Sequence, residues 1–319
     1  MRPLAASAKL AGLTALAATY ALAEAHWYKL RLVSVPVLPP EAAPFRLLHL
    51  SDLHLTAGQG RKAAWIADLA NLEPDLVIST GDHISAANAL DLLDLALGPL
   101  LAFPGGFVFG SNDFFAPHLK NPLAYFRRDL GEPNWRRPDL PVAELRQRLS
   151  DGGWVDLNNA RSRIRLETGP VELVGLGDPH LGFDQLPEPN QASGFDGQGL
   201  FKLGVVHAPY IEALRALVSD GAQLVLAGHT HGGQVALPVW GALVSNSDLP
   251  AKFAYGLHPI AAAPGVPAPA SPPAQGQVQV GQSFLHVSAG LGTSPYSPIR
   301  FSRRPEATLL TLVPRRDAA

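Results

Sequence analysis

Phe45-Arg46-Leu47-Leu48-His49-Leu50-Ser51-Asp52-Leu53-His54 is the stretch that decides the fold. Its first six residues have strand length and strand composition, and the run breaks into Asp-x-His, two metal-capable side chains at the strand's C-terminal end. The layout recurs downstream. Strand-like runs over 75–79, 106–109, 171–176, 203–206 and 223–227 alternate with helical spacing over 61–72, 86–101, 143–149 and 210–218. Strand-then-helix repetition predicts an α/β layered domain. Runs at 234–237, 283–287 and 307–312 follow each other without helices, which predicts a second, more antiparallel sheet. Residues 261–282 are rich in Pro, Ala, Gly and Gln and have no apolar period. They read as a flexible insertion within a domain spanning 45–313.

Chemistry collects at the strand ends. Asp52 and His54 follow the first strand, Asp82 follows Ile78-Ser79-Thr80-Gly81, and Asn112 follows Phe109-Gly110-Ser111. His207 ends Gly204-Val205-Val206, while His229 and His231 follow Leu226-Ala227-Gly228. Open α/β sheets build their sites at that edge, where loops converge over a rigid support. On an extended segment, positions i and i+2 share a side, so Asp52 with His54, and His229 with His231, are expected to reach a common centre. The glycines before Asp82 and His229 allow sharp turns and a close approach of backbone to an ion. Imidazole, carboxylate and amide donors suit Mn²⁺, Fe or Zn²⁺ better than Ca²⁺. Seven donors exceed one tetrahedral zinc, so two divalent metal ions sharing Asp82 are expected.

Composition narrows the classes. With 25 Lys+Arg against 27 Asp+Glu the 319-residue chain carries a net charge of −2, so no general pull toward nucleic acid exists and no nucleic-acid partner is expected. There is no cysteine, which excludes disulfides, thiolate zinc sites and a cysteine nucleophile. At the N-terminus, residues 10–23 are uncharged and follow Arg2 and Lys9. This run falls short of the roughly 20 residues that cross a bilayer. Residues 1–25 read either as a signal or anchor segment, with Ala21-Leu22-Ala23 as a small-x-small site, or as a helix packed on the domain. Location divides accordingly between membrane-associated and cytoplasmic or exported.

The series Asp52-x-His54, Gly81-Asp82, Gly110-Ser111-Asn112-Asp113, Gly204-x-x-His207 and Gly228-His229-Thr230-His231 resembles the calcineurin-like metallophosphoesterase family. It is most similar to the branch carrying Gly-His-Thr-His-Gly-Gly-Gln, seen here through Gln234, with an ending like Ser288-Ala289-Gly290-Leu291-Gly292-Thr293 and Pro298-Ile299-Arg300-Phe301. That branch includes membrane-linked phosphodiesterases. The resemblance implies a four-layer αββα sandwich of two mixed β-sheets flanked by helices. It also implies one metal on Asp52, His54 and His231, a second on Asn112, His207 and His229, and Asp82 bridging. A hydroxide shared by the ions would attack a phosphodiester or pyrophosphate in line.

One motif departs from the family pattern, which has Gly-Asn-His before an acidic residue. Here either Asn112 is the ligand, shifted by one residue, or Ser111 is a weak ligand and Asn112 stands where the histidine stood. In both registers the histidine near the leaving group is missing. Asp113, His83 or a water is then left to protonate the leaving group, or nothing does. Asp82, Asn112, Asp113 and His229 form the expected catalytic set. For His49, His118, His180 and His258 ordinary hydrogen bonding is expected, and for Asp178-Pro179-His180 a turn. Arg127, Arg128, Arg136 and Arg137, and Arg300, Arg303 and Arg304, are two basic clusters with no catalytic assignment. The phosphate-ester or pyrophosphate substrate is expected to be lipid-linked if the N-terminal segment sits in a bilayer. Competing classes are another dinuclear metallohydrolase and a non-catalytic metal-binding protein.

Overall fold

In the computed structural model, which describes residues 2–118, 138–189, 201–260 and 283–315, helix α1 (Arg2–Glu24) leads into β1 (Lys29–Leu38) and β2 (Phe45–Leu50). Next come α2 (Gly60–Ala67), β3 (Leu76–Ser79), α3 (Leu90–Leu97), β4 (Gly105–Phe107), α4 (Ser111–Phe114), α5 (Val142–Asp151) and β5 (Val155–Asp156). The second half holds β6 (Ala160–Leu166), β7 (Gly169–Gly175), β8 (Phe201–Val205), α6 (Ile211–Ser219) and β9 (Leu224–Ala227). Short strands β10 (Ala236–Leu237) and β11 (Gly241–Ala242) pair as a ribbon, followed by β12 (Gly256–Ile260), β13 (Ser283–Val287) and β14 (Glu306–Pro314). The insertion at 261–282 and the arginines from 127 to 137 lie outside the described residues.

Two six-stranded mixed sheets result, in the orders β1-β14-β2-β3-β4-β5 and β12-β13-β9-β8-β7-β6. Strand alternation sorts their side chains. Leu48, Leu50 and Val77 face a core with Ile66 of α2 and Leu93 of α3, while the neighbouring Leu47 and Ile78 turn the other way. There they meet Leu173, Leu203 and Leu226 of the second sheet. The far face of that sheet, Val174 and Val225, packs on Leu214 and Leu217 of α6. Helix, sheet, sheet and helix layers therefore enclose three cores, as the four-layer expectation requires.

The late strands do not form a sheet of their own. Strand β14 lies inside the first sheet, antiparallel to β2 and parallel to β1, and β13 runs parallel to β9 inside the second. Their sequences explain why: every residue of β13 and the first five of β14 are buried, so both need cover on two faces. Strand β1, with Arg31 and Pro36 and partly open residues, takes the edge of the first sheet, ahead of position 45. Pairing of such distant segments is a tertiary choice that local periodicity does not encode. The same stacking brings the C-terminal ends of β2, β3 and β4 against those of β8 and β9.

Candidate metal centre

Five of the expected donors occupy backbone that side chains usually avoid. Asp52, His54, Asp82, His229 and His231 have φ of 50°, 44°, 54°, 67° and 50°. The shared side of Asp52 and His54 thus comes from left-handed turns and not, as expected, from extended alternation. Each such residue costs roughly 1–2 kcal/mol, so the loops must be held by their surroundings. They are: Asp52 N donates to Gly81 O at 2.9 Å, His54 N to Asp82 O at 2.9 Å, and Gly228 N to His207 O at 2.8 Å. A Cβ at Gly290 would strike that of Asp52, and one at Gly292 that of His54, so the Gly290-Leu291-Gly292 loop fits closely over this pair.

The donor atoms form two adjoining groups, Asp52 with His54 and His231, and Asp52 with Asp82 and His207, with Asp82 lying between the histidines of the two. Asp82 Oδ2 lies 3.4 Å from His54 Nε2 and 3.6 Å from His207 Nε2. On one side, His231 Nε2 is 3.2 Å from His54 Nε2 and 3.8 Å from Asp52 Oδ1. On the other, His229 Nδ1 is 3.3 Å from His207 Nε2. Donors sharing one ion at about 2.0–2.2 Å stand about 3–3.6 Å apart, so both sets have the spacing of ligands. Asn112 also reaches Asp82, its backbone N–H donating to Oδ1 at 2.8 Å and its side-chain Nδ2 to Oδ2 at 2.7 Å.

Hydrogen bonds behind the rings decide which nitrogen faces inward. His207 Nδ1–H donates to Thr80 O at 2.6 Å, leaving the Nε2 lone pair toward Asp82. His229 Nε2 has the Asn246 carbonyl at 3.0 Å, nearer than the Asn246 amide nitrogen at 3.2 Å. Since that carbonyl can only accept, His229 Nδ1 keeps its lone pair. With both rings neutral, two imidazole lone pairs face each other at 3.3 Å, an arrangement that needs a cation between them, either a metal ion or the proton His207 carries below about 9. A Cβ at Gly110 would fill the same space, within 2.5 Å of His207 Nε2 and closer still to Asp82 Oδ1. The residues fit a pair of divalent ions on chemistry and on room.

Electrostatics agree. Burial alone would raise the Asp82 carboxyl, but His207, His54 and the Asn112 amide outweigh it and hold the group well below the usual carboxylate range. Asp52 is pushed up to about 6 by burial, against the pull of His207. Burial lowers His54 to about 4 and drives His229 and His231 far down, favouring the neutral rings that bind metal. Only His207 moves the other way: burial lowers it, yet Asp82, Asp178 and Asp52 carry it to about 9.

Not every expected residue faces the centre. Asp113 is fully buried, and its carboxylate accepts from the backbone N–H groups of Gly110, Asp82 and His83 at 3.0, 2.9 and 2.7 Å. His83 lies beside it, at 3.1 Å from Asp113 Oδ2 and 2.8 Å from Ser79 Oγ, with its ring against Phe107 and Phe109. Both are turned into the core and tie the β3 loop to α4. Asp178-Pro179-His180 does form a turn, with Asp178 Oδ1 accepting from His180 N at 2.9 Å. His180 Nδ1 meets Tyr210 Oη at 2.8 Å, and its ring lies 4.8 Å from that of His229. His49 is bonded to His286 and Thr80, and His258 to Tyr255 O.

Residues that sequence reasoning left without a role hold the ligands in place. Thr80 donates to Ser51 Oγ at 2.7 Å, and Ser51 to Asp52 Oδ2 at 2.5 Å. Lys62, 4% exposed, donates to Leu53 O at 2.8 Å, and burial with nearby Arg300 lowers its ammonium to about 7. Arg300, fully buried, spans His231 O at 3.0 Å, His231 Nδ1 at 3.2 Å and Gly292 O at 2.5 Å. An arginine after a Pro-Ile pair carries no local signal for this; only the folded loop brings it to the ligands.

Residues 45–233 match the calcineurin-like phosphoesterase family. The chain belongs to that family. Among relatives, it is 26% identical over 297 residues to phosphodiesterase YaeI of Escherichia coli K12, covering 91% of this chain and 90% of that protein. It is 27% identical over 290 residues to a Bos taurus transmembrane protein with a metallophosphoesterase domain, covering 88% of this chain and 56% of the relative. A purple acid phosphatase structure from yellow lupin matches 83% of this chain and 46% of its own, at 11% identity and a TM-score of 0.43. As a calcineurin-like phosphoesterase, the chain is a metal-dependent phosphoric ester hydrolase.

The phosphoesterase stripped of metal has a defined response to pH. His207 ionises at about 9 when folded against an ordinary 6.5, so its stabilisation is complete below pH 6.5 and is lost as pH rises through 9. Asp178, raised to about 7 chiefly by burial, acts in the same direction up to its own titration. His54 has the opposite sign but only between about 4 and 6.5. Lys62 opposes this: lowered to about 7 from an ordinary 10.5, it adds stability as pH rises from 7. Urea denaturation after chelation should therefore show a net change of no more than about 1 kcal/mol from pH 6.5 to 9, and a fall of on the order of 3 kcal/mol in Lys62→Met. Metal affinity should rise across the same interval, because binding needs the deprotonated rings.

Proposed function

We propose that the chain hydrolyses a phosphodiester or pyrophosphate at a dinuclear centre, with Asp52, His54 and His231 holding one ion, Asn112, His207 and His229 the other, and Asp82 bridging. The position of Asp82 Oδ2 between His54 and His207 carries this reading. When bound, the two ions lower the pKa of water and neutralise charge growing on the phosphoryl oxygens. Sulfur-free nitrogen and oxygen donors favour Mn²⁺, Fe or Zn²⁺. For Asn112 to serve as a ligand its amide must turn its oxygen inward; as placed, the nitrogen orients Asp82. Hydrolysis of a chromogenic aryl diester with added Mn²⁺, lost in Asp82→Ala and His229→Ala, tests the assignment. Metal uptake without turnover in the wild type would overturn it.

We assign Asp113 to holding the Asp82 loop and not to proton donation, because its carboxylate is occupied by backbone donors. His83 is turned away as well. A general acid contributes about 10²–10⁴-fold, so alkyl diesters should react at least about 10²-fold more slowly than aryl ones in a series of graded leaving-group pKa. A shallow dependence would show that an acid is present.

We further infer that α1 associates with a membrane and that the substrate is lipid-linked. Side chains over 14–20 are exposed, with burial beginning at Ala21, and residues 10–23 are uncharged. Among the described residues no helix is long and apolar enough to cross a membrane, so the contact is interfacial. Cell fractionation with and without residues 1–25 tests it: equal distribution of the two forms would refute it.

A further inference from the structure

We propose that the tip of the β10–β11 ribbon is a second membrane contact, docking on an anionic phospholipid surface and presenting the metal edge to phosphate groups at headgroup level. This rests on the membrane association of α1 inferred above and adds an orientation, which a single helix does not fix.

The tip is built from residues that water does not favour. Leu237 and Leu243 are 43% and 48% exposed, Trp240 86%, and Val239 completely so. Scattered apolar side chains are ordinary on a protein surface, but these four fall within seven residues around one turn. Val239 also has φ of 72°, a conformation that strains a β-branched side chain and turns it outward. Nothing within the described fold covers it.

The ribbon is fixed to the catalytic edge. It begins three residues after Gly233, and a Cβ at Gly233 would collide with Ala242 of β11, so the ribbon packs directly on the turn that carries His231. It is also fastened to the segment that holds α1. Ala236 N donates to Phe301 O at 2.9 Å and Phe301 N to Gln234 O at 3.1 Å. On that same segment Arg300 N donates to Ala21 O at 3.0 Å, Ser302 N to Glu24 Oε2 at 2.7 Å, and the Phe301 ring meets Tyr20 at 5.6 Å. Ribbon and helix thus share one support.

Charge selects the occupant. Residues 234–247 and 10–23 have no charged side chain, and 290–304 carries only arginines, of which Arg300 is buried in the brace to His231 and Arg303 and Arg304 remain for the surface. Glu24 is buried and bonded to Ser302. Arg304 stacks on the exposed Trp27 at 4.2 Å. Tryptophan beside arginine, with apolar tips and no free acid, is the composition that settles at an anionic lipid interface. A second copy meeting the same face would set arginine against arginine.

Sedimentation of the full chain with phosphatidylcholine vesicles, with and without phosphatidylglycerol, tests the proposal against a Val239→Ser, Trp240→Ser variant. The wild type should bind the anionic vesicles, and the variant about tenfold or more weakly, as loss of a buried aromatic anchor implies. Its hydrolysis of a soluble aryl diester should be unchanged, since both side chains are exposed and take part in none of the contacts of the metal centre. Equal binding by wild type and variant would overturn the ribbon contact and leave α1 as the anchor. Failure of the wild type to bind would overturn both, whatever the diesterase activity. A dimer lost in the variant by light scattering, with vesicle binding retained, would show that a second copy is the occupant.

Discussion

Asp82→Asn is expected to lower phosphodiester turnover by about 10³-fold or more and to empty both halves of the centre, because one carboxylate serves both donor sets. Asparagine is the informative replacement. It keeps the volume of the side chain and tolerates the left-handed backbone at φ 54°, so the bonds this loop's N–H groups donate to Asp113 survive. What is removed is the negative charge 3.4 Å from His54 and 3.6 Å from His207. Loss of activity should accompany loss of bound metal, read by elemental analysis after dialysis against Mn²⁺. A third readout needs no metal. Asp82 is the leading cause of the raised His207 ionisation, so in chelated Asp82→Asn the His207 loss should vanish and stability should rise between pH 7 and 9 through Lys62. Full metal retention with an unchanged pH profile would show that Asp82 does not bridge.

The convergence of the expected donors was legible in the sequence because metal-capable residues recur at strand ends, and strand ends in an α/β domain converge. Asp52, His54, Asp82, His207, His229 and His231 needed only that rule. The geometry that makes them converge was not legible. Left-handed φ at Asp52 or His229 is a property of loops held by distant hydrogen bonds, and an extended segment would have predicted the same pairs for a different reason. Asp113 shows the converse error. A carboxylate next to Asn112 reads as catalytic, yet its neighbours in space are the backbone N–H groups of the β3 loop, and those are set by packing rather than spacing. Strand order failed likewise: β14 reads as a partner for β13 by proximity in the chain, whereas its burial on both faces demanded a central place beside β2.

Arg300→Met should destabilise the protein by about 1–3 kcal/mol and weaken metal binding about 10–100-fold, whereas Lys62→Met should leave stability within about 1 kcal/mol of wild type. Both residues are buried cations beside ligand loops, so charge alone does not separate them; the number of bonds does. Arg300 joins the loop over Asp52, through Gly290 O and Gly292 O, to the His231 carbonyl and ring. Methionine would leave Gly292 O without its donor, while Gly290 O keeps Glu306 N and His231 O keeps Gln234 N, and would uncouple the two ligand segments. Lys62 makes one bond, to Leu53 O, and its lowered ionisation shows that burial already works against its charge. Removing it relieves that penalty while losing one hydrogen bond, two effects of similar size and opposite sign. Chemical denaturation of the chelated proteins measures the first quantity and calorimetric Mn²⁺ titration the second. Arg300→Lys sharpens the test, since an ammonium reaches fewer of these acceptors than the planar guanidinium fork and should recover only part of the affinity. Equal losses in Arg300→Met and Lys62→Met would mean that buried charge, rather than the bracing of two ligand segments, is what these residues supply.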